Sequence, residues 1–244
     1  MEGIRAHTAP RTAVVWAVLK TELERRAAAL DVLDVGGGTG GFAVPLAQAG
    51  HRVTVVDASP DALAALNRRA AEAGVAERIH AVQGDADKLT DVAGPQTADL
   101  VLCHSVLEVV DSPVATAEAV AAALRPGGVA SVLVANRAAA VLSRALGGHL
   151  TAAGSLLDDP DGRAGDRDTL LRRFDAAQAR ELLAAAGLTV EQIHGVRVVA
   201  DLVPGALLDT EPGAYDALLE FELAAATRSP YRDIATQLHL LGRR

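Results

Sequence analysis

Aromatic residues and cysteine are scarce in this chain of 244 residues. Only 2% of the residues are aromatic although half are hydrophobic, so the core must be built from Ala, Val and Leu. The single cysteine, Cys103, excludes an intrachain disulfide and gives no sign of an oxidising compartment. The length suits one α/β domain with a sizeable core, or one domain with a small appendage.

Signals for secretion, membrane insertion and metal binding are also missing. The opening MEGIRAHTAPR has no apolar run typical of a signal peptide, and no segment reaches about eighteen consecutive apolar residues. The seven histidines are scattered without the spacing of a metal site. We therefore expect a cytoplasmic protein with no metal and no membrane partner.

Basic residues are fewer than acidic ones, and the formal net charge is -8. Non-specific nucleic-acid binding depends on neutralising phosphates, and this balance argues against it. A local basic patch remains compatible with the composition.

Apolar runs alternate with helical patterns along the first 136 residues. The stretch LDVLDVGGGTGGFAVPLAQAGHRVTVVDAS, residues 30–59, is typical of a strand, a glycine turn, a helix and a second strand. Runs near 79–86, 98–110 and 129–136 predict three more strands with helices between them. Such alternation predicts a doubly wound α/β fold with a mostly parallel sheet.

The character of the sequence changes after residue 136. A helix, a polar loop over about 150–172 and another helix precede a long strand predicted at 189–202. A further helix and a last strand would complete seven strands with a closing antiparallel hairpin. We interpret residues 1–244 as one domain with insertions at about 137–174 and 203–232.

The glycine cluster fits two nucleotide-binding patterns. Residues 36–41 satisfy the G-x-G-x-x-G of NAD-binding folds, with Asp57 near the expected ribose-binding acid. Residues 34–40, DVGGGTG, also match the D-x-G-x-G-x-G of enzymes that use S-adenosylmethionine (SAM), with Asp34 as the acid.

Three later features favour SAM. The GDA at 84–86 ends a predicted strand, where an acid can accept a hydrogen bond from the adenine amino group. The order ADLVLCHSVLEVVDSP then LRPGG resembles the fourth strand, active-site loop, helix and turn of class I methyltransferases. The closing helix, strand, helix and strand resemble their terminal hairpin. The resemblance implies a SAM-dependent methyltransferase.

Candidate cofactor-binding residues follow the strand ends. Asp57 is expected to accept hydrogen bonds from both ribose hydroxyls, although a turn or helix-capping acid is the alternative. Asp85 is expected at the adenine, and Asp87 is close enough to replace it. Asp34 would brace the glycine loop or bind the SAM ammonium. Backbone contacts to the cofactor are expected from Gly36, Gly37, Gly38, Ala58 and Ala86.

Seven segments carry a closer resemblance: RTAVVWAVL, LDVGGGTG, HSVLEVVDSP, LRPGG, GVRV at 195–198, YDALLEFEL at 215–223 and SPYRDIATQLHL at 229–240. Together they resemble the bacterial tRNA 5-carboxymethoxyuridine methyltransferases, which esterify the carboxylate of a modified wobble uridine. Two segments depart from that family. The long loop reads LLDDPDGRAGDRD where the family has lysines, and LEV at 107–109 replaces LEW.

The resemblance implies roles for several residues. Arg11, on a helix expected over 10–29 that closes over the cofactor as a lid, would reach the SAM carboxylate. His104 would lie beside the cofactor and contribute to catalysis, by positioning rather than as a general base. Tyr231 would contact the substrate, with simple packing as its alternative.

Two alternative roles are open for each of three other polar residues. Arg197 is expected in the middle of the sixth strand, where its fork would hold an acceptor carboxylate; a salt bridge to Asp201 is the alternative. Glu108 is either a substrate contact or a helix-start acid. Asn136 is either a substrate contact or a cap for the next helix.

The expected reaction is methyl transfer to the carboxylate of a modified wobble uridine in tRNA. A small-molecule O- or N-methyltransferase and a non-catalytic SAM-binding protein are the alternatives. A closed apolar pocket would favour a metabolite. Five arginines clustered on one rim of the structure would favour tRNA as the substrate: Arg172, Arg173, Arg197, Arg228 and Arg232.

Overall fold

The computed structural model describes residues 9–26, 28–165 and 168–244. Its strands are β1 (Asp31–Val35), β2 (Arg52–Asp57), β3 (Ile79–Gln83), β4 (Ala98–His104), β5 (Leu124–Ala135), β6 (Thr189–Val196) and β7 (Gln237–Arg243). They form one sheet in the order β3-β2-β1-β4-β5-β7-β6. Strand β7 runs antiparallel to β5 and β6, and the other pairings are parallel. The predicted doubly wound sheet with a closing antiparallel hairpin is confirmed.

The helices of the described residues are α1 (Ala13–Glu24), α2 (Ala43–Gln48), α3 (Pro60–Glu72), α4 (Leu89–Ala93), α5 (Pro113–Ala123), α6 (Arg137–Leu146), α7 (Leu150–Asp158), α8 (Ala176–Ala185), α9 (Gly205–Thr210) and α10 (Ala214–Ala225). Helices α3 and α5 begin with serine caps. The side chains of Ser59 and Ser112 each accept a hydrogen bond from a backbone N–H of the first turn, and a proline follows each serine at the first helical position. The prediction of loop throughout 150–172 is wrong for α7, which buries Leu156 completely.

Helix α1 packs into the core of the domain. Its Val15 and Leu19 are fully buried, and the Trp16 ring stacks on the Phe42 ring with a centroid distance of 4.9 Å. The same apolar cluster includes side chains of β1, β2, α2 and α3. The helix is shorter than the expected 10–29, and removing it would expose a face of the sheet to water. Its closure over the cofactor as a lid stays a prediction.

The chain leaves the sheet abruptly after β6. Arg197 has a φ of +62°, in the left-handed region, so the predicted strand stops at Val196. Directly after it, the buried carboxylate of Glu222 on α10 accepts hydrogen bonds of 2.8 Å from each backbone N–H of residues 198–200. The expectation that Arg197 lies in the middle of a strand is wrong, because this carboxylate turns the backbone away.

We predict that Glu222→Ala lowers the free energy of unfolding by about 2–4 kcal/mol. The substitution leaves backbone donors that are largely buried without their charged acceptor. Urea denaturation measures the difference. Glu220→Ala on the exposed face of the same helix is the matched control and should stay within about 0.5 kcal/mol of the wild type. Equal losses in the two variants would contradict the anchoring role.

Candidate active site

The turn between β1 and α2 begins with two glycines, Gly36 and Gly37, that have no room for a Cβ. Gly36 has a φ of +65°, and a Cβ there would lie 2.6 Å from Cγ2 of Val106. A Cβ on Gly37 would lie 2.5 Å from Oδ2 of Asp34. Glycine is therefore required for the turn to pack between β1 and the segment that follows β4.

Asp57 ends β2 and holds this turn in place. One carboxylate oxygen accepts a hydrogen bond of 2.9 Å from the N–H of Gly38, and the other accepts one of 2.9 Å from the N–H of Ser59. Each oxygen retains a further acceptor position. The side chain can thus act as the turn acid and still accept hydroxyl donors.

Asp34 lies beneath the same turn and is 3% exposed. Burial, together with the negative charge of Asp57, raises the pKa of Asp34 to about 7. Among the described residues, none donates a hydrogen bond to its buried Oδ2. A buried carboxyl without a donor is costly, and a cationic group bound at the turn would relieve that cost.

A candidate cofactor groove of about 640 Å³ opens at the carboxyl ends of β1, β2, β3 and β4. Asp57 and Ala58 line one part of it, and Asp85 and Ala86 line another. Asp87 lines the groove as well, so the choice between the two acids for the adenine stays open. The remaining lining residues are Gly36, Val56, Gly84, Lys88, Ser105, Val106, Val109, Val110, Asp111, Ser112 and Thr116.

His104 is packed under the site and is not among the residues that line the groove. Its Nε2 lies 2.8 Å from Oγ of Ser131, which lies 2.7 Å from Nε2 of His239. Its ring meets the Phe42 ring edge-on, with a centroid distance of 4.7 Å. Burial lowers the pKa of His104 to about 3. The ring is therefore neutral near pH 7, which suits positioning better than proton abstraction.

Glu108 and Asn136 hold backbone rather than facing the groove. Glu108 is 2% exposed, and one of its carboxylate oxygens accepts from the N–H of Ala135. The side-chain amide of Asn136 donates to the carbonyls of Asp233 and Ala235, and its oxygen caps α6 through the N–H of Ala138. We therefore withdraw both as substrate contacts, because burial and these bonds commit them to the fold.

Two arginines share one carboxylate near the ends of β6 and β7. Asp201 lies 3.2 Å from Nε of Arg11 and 2.5 Å from Nη2 of Arg197, and it accepts from Oγ1 of Thr236. The buried Nε of Arg197 has no acceptor within the described ranges. The alternative interpretation of Arg197, a salt bridge to Asp201, is what this structure contains.

The other candidate rim residues do not form a free basic surface. Arg172 donates to backbone carbonyls, Arg173 pairs with Asp168 in a nearly buried contact, and Arg232 pairs with Asp233. Arg228, the remaining rim candidate, is exposed, and so is Tyr231, the separate candidate for substrate contact. The contact of Tyr231 with a substrate stays a prediction.

Ser105 is a groove residue that the sequence analysis missed. It follows β4 with a φ of +57°, lines the groove, and accepts from Nε2 of Gln237 at 3.2 Å. Its position directly after the apolar run of β4 was the available signal, because ligands bind at the carboxyl ends of such strands.

The described part of the chain has neither a candidate metal site nor a candidate membrane span. Over residues 9–26, 28–165 and 168–244, no three His, Cys, Asp or Glu side chains come together in a way that could hold a metal ion. Within the same residues, no helix is long and apolar enough to cross a membrane.

Sequence relatives are methyltransferases. A family model described as a methyltransferase domain matches residues 32–128. The tRNA 5-carboxymethoxyuridine methyltransferase of Escherichia coli K12 is 29% identical over 96% of this chain and 88% of its own length. A ubiquinone biosynthesis O-methyltransferase of Xanthomonas axonopodis is 32% identical over 68% of this chain and 65% of its own length.

Solved structures agree on the fold. A SAM-dependent methyltransferase from Mesorhizobium loti superposes with a TM-score of 0.62 at 18% identity, covering 95% of this chain and 98% of that one. A magnesium protoporphyrin IX methyltransferase from Synechocystis, with bound S-adenosylhomocysteine (SAH), has a TM-score of 0.59 at 18% identity over 100% of this chain and 86% of that one.

We predict that Asp34→Asn changes how stability depends on pH without cofactor. The pKa of Asp34 is about 7 in the fold against 3.8 ordinarily, so the folded protein binds more protons between these values. The free energy of unfolding of the wild type therefore falls as pH rises through that window. Denaturation at about pH 5 and about pH 7.5 should show the variant gaining relative to the wild type at the higher pH. Parallel pH profiles would contradict the raised pKa.

We also predict that Asp57→Ala weakens SAH binding by about 2–3 kcal/mol, because charge-assisted hydrogen bonds are lost. Calorimetric titration in the presence of a chelator measures the affinity. Asp61→Ala, an exposed acid in the first turn of α3, is the control and should bind SAH like the wild type. An unchanged affinity in Asp57→Ala would remove this residue from the site.

The residues of the groove are compatible with SAM. Gly36 lines the groove without a side chain, and the Oδ2 of Asp34, beneath the turn, has no hydrogen-bond donor among the described residues. Asp57 at the end of β2 is half-buried, Asp85 after β3 is exposed, and both can accept hydrogen bonds from hydroxyl or amino donors. The chain is a class I SAM-dependent methyltransferase whose sequence resembles the tRNA 5-carboxymethoxyuridine methyltransferases.

Proposed function

We propose that the protein transfers the methyl group of SAM to a carboxylate oxygen of a modified wobble uridine in tRNA. The observation that carries this proposal is the extent of the match to the tRNA enzyme, 237 residues and 96% of the chain. That alignment must include most of the insertions at 137–174 and 203–232. The ubiquinone O-methyltransferase matches over 165 residues only. A cytoplasmic location is part of the proposal.

The charge around Asp201 supports an anionic acceptor. Arg11 and Arg197 carry two positive charges against the one negative charge of Asp201. The N–H of Thr236 donates to the carbonyl of Arg197, which ties this arginine to the start of β7, beside the end of β5. A guanidinium fork held there can bind a carboxylate through two parallel hydrogen bonds.

A carboxylate nucleophile needs no general base, and His104 is poorly suited to be one because burial lowers its pKa to about 3. Bound SAM supplies an electrophilic methyl group, so a C–O bond forms while the C–S bond breaks and its electron pair stays on sulfur. An ionised carboxylate loses no proton in this step. The protein then has to align the acceptor oxygen with the methyl group and the sulfur. His104 is neutral and bonded to Ser131, so its ring can form a rigid base for the site.

A small-molecule O-methyltransferase is the second candidate. The observation in its favour is that four of the five candidate rim arginines already have partners within the chain: Arg172, Arg173, Arg197 and Arg232. Together with a net charge of -8, this leaves little free positive charge for phosphates.

The test is mass spectrometry of tRNA nucleosides from cells with and without the gene. We expect the methyl ester of 5-carboxymethoxyuridine to disappear without the gene, and the free acid to accumulate. Reintroducing the wild-type gene should restore the ester. An unchanged nucleoside profile would overturn the tRNA proposal and favour the small-molecule candidate.

For Arg197 we predict a loss of transfer without a loss of cofactor affinity. Arg197→Lys should lower kcat/KM for the acceptor by about 10- to 100-fold, since a lysine cannot make the bidentate contact. SAH affinity should stay within about twofold. Asp201→Asn breaks the same ion pair but leaves the arginine, so it should retain transfer. If both variants lose transfer equally, the ion pair is structural and Arg197 does not bind the acceptor.

A further inference from the structure

One wall of the cofactor groove is the β4 loop, residues 105–112. This loop supplies six lining residues: Ser105, Val106, Val109, Val110, Asp111 and Ser112. Within the loop, the N–H groups of Val109 and Val110 both donate to the carbonyl of Val106. These bonds form a single tight turn, and the carbonyls of Leu107, Val110 and Asp111 accept hydrogen bonds from outside the loop.

Arg172 binds those carbonyls from outside the groove. Its guanidinium donates to the carbonyl of Leu107 at 2.9 Å, to the carbonyl of Val110, and to the carbonyl of Asp111 at 3.2 Å. The planar fork of arginine reaches three acceptors at once, whereas the single ammonium of lysine lacks this spread. The shape of the turn is therefore set by a residue about sixty positions later in the chain.

The backbone around Arg172 reinforces the contact. The N–H groups of Leu171 and Arg172 donate to the carbonyl of Glu108 at 2.9 and 3.3 Å. The Glu108 carboxylate accepts from the N–H of Ala135 at the end of β5. The β4 loop is thus held between the sheet and the insertion at 137–174.

We propose that Arg172 is a positioning residue for the cofactor, because it fixes the β4 loop as a wall of the groove. Its guanidinium does not need to touch SAM. The inference rests on the cofactor and not on the acceptor, so it stands whether the acceptor is tRNA or a small molecule.

The experiment compares SAH binding in two neighbouring arginine variants. Arg172→Gln should raise the Kd for SAH about tenfold, and Arg172→Lys should show a similar loss. The matched control is Arg173→Gln, which breaks the nearly buried pair with Asp168 inside the insertion but leaves the β4 loop bonded. Its Kd should stay within about twofold of the wild type although its Tm falls.

Two outcomes would overturn the proposal. An SAH Kd in Arg172→Lys within about twofold of the wild type would show that the fork does not position the wall. Equal losses of SAH affinity in Arg172→Gln and Arg173→Gln would show a general loosening of the insertion. Arg172→Lys keeps the test valid if Arg172→Gln does not fold, and calorimetry with SAH needs no acceptor.

Discussion

The close packing of the turn after β1 is the constraint on which the site depends. Gly36 lies where a Cβ would meet Val106, and Gly37 lies where a Cβ would meet the Asp34 carboxyl. This packing brings the ends of β1, β2 and β4 to one groove. It also buries Asp34 without a hydrogen-bond donor at its Oδ2 among the described residues. Burying the Asp34 carboxyl costs free energy in the absence of the cofactor. A cation that binds there removes this cost, and the affinity for that cation rises accordingly.

The second half of the chain is built on this groove. The insertion at 137–174 supplies Arg172, which binds carbonyls of the β4 loop, and the segment after β6 places Arg197 at the same edge of the sheet. Glu222 controls where that segment leaves the sheet. The residues proposed to bind cofactor and acceptor thus depend on buried polar contacts between segments far apart in the chain. Such contacts are costly when broken, so they fix one geometry.

Local patterns made the first half predictable. The apolar runs, the glycines of 36–41 and the serine caps act over a few residues, and the structure follows them. The same holds for Asp57 at the end of β2, which lines the groove. Its contact with ribose stays a prediction, as does that of Arg11 with the cofactor carboxylate.

Most of the predictions that were wrong failed because of contacts between residues far apart in the sequence. Arg197 leaves the strand because a carboxylate on α10 binds the following N–H groups, and no pattern around residue 197 shows this. Asn136 and Glu108 looked available because they follow strands, but their partners lie in other parts of the chain. Helix α7 was obscured by the acidic, glycine-containing stretch that follows it, although Leu156 provides an apolar face.

The claim that the acceptor oxygen belongs to a tRNA carboxylate is tested most directly by a transfer assay in vitro. Purified protein and tritiated SAM are incubated with tRNA that carries 5-carboxymethoxyuridine, and with tRNA that lacks it. We expect tritium only in the modified tRNA. Mild alkali should release it as methanol, because the product is a methyl ester. Label that resists alkali, or label in small acids or phenols but not in tRNA, would contradict it.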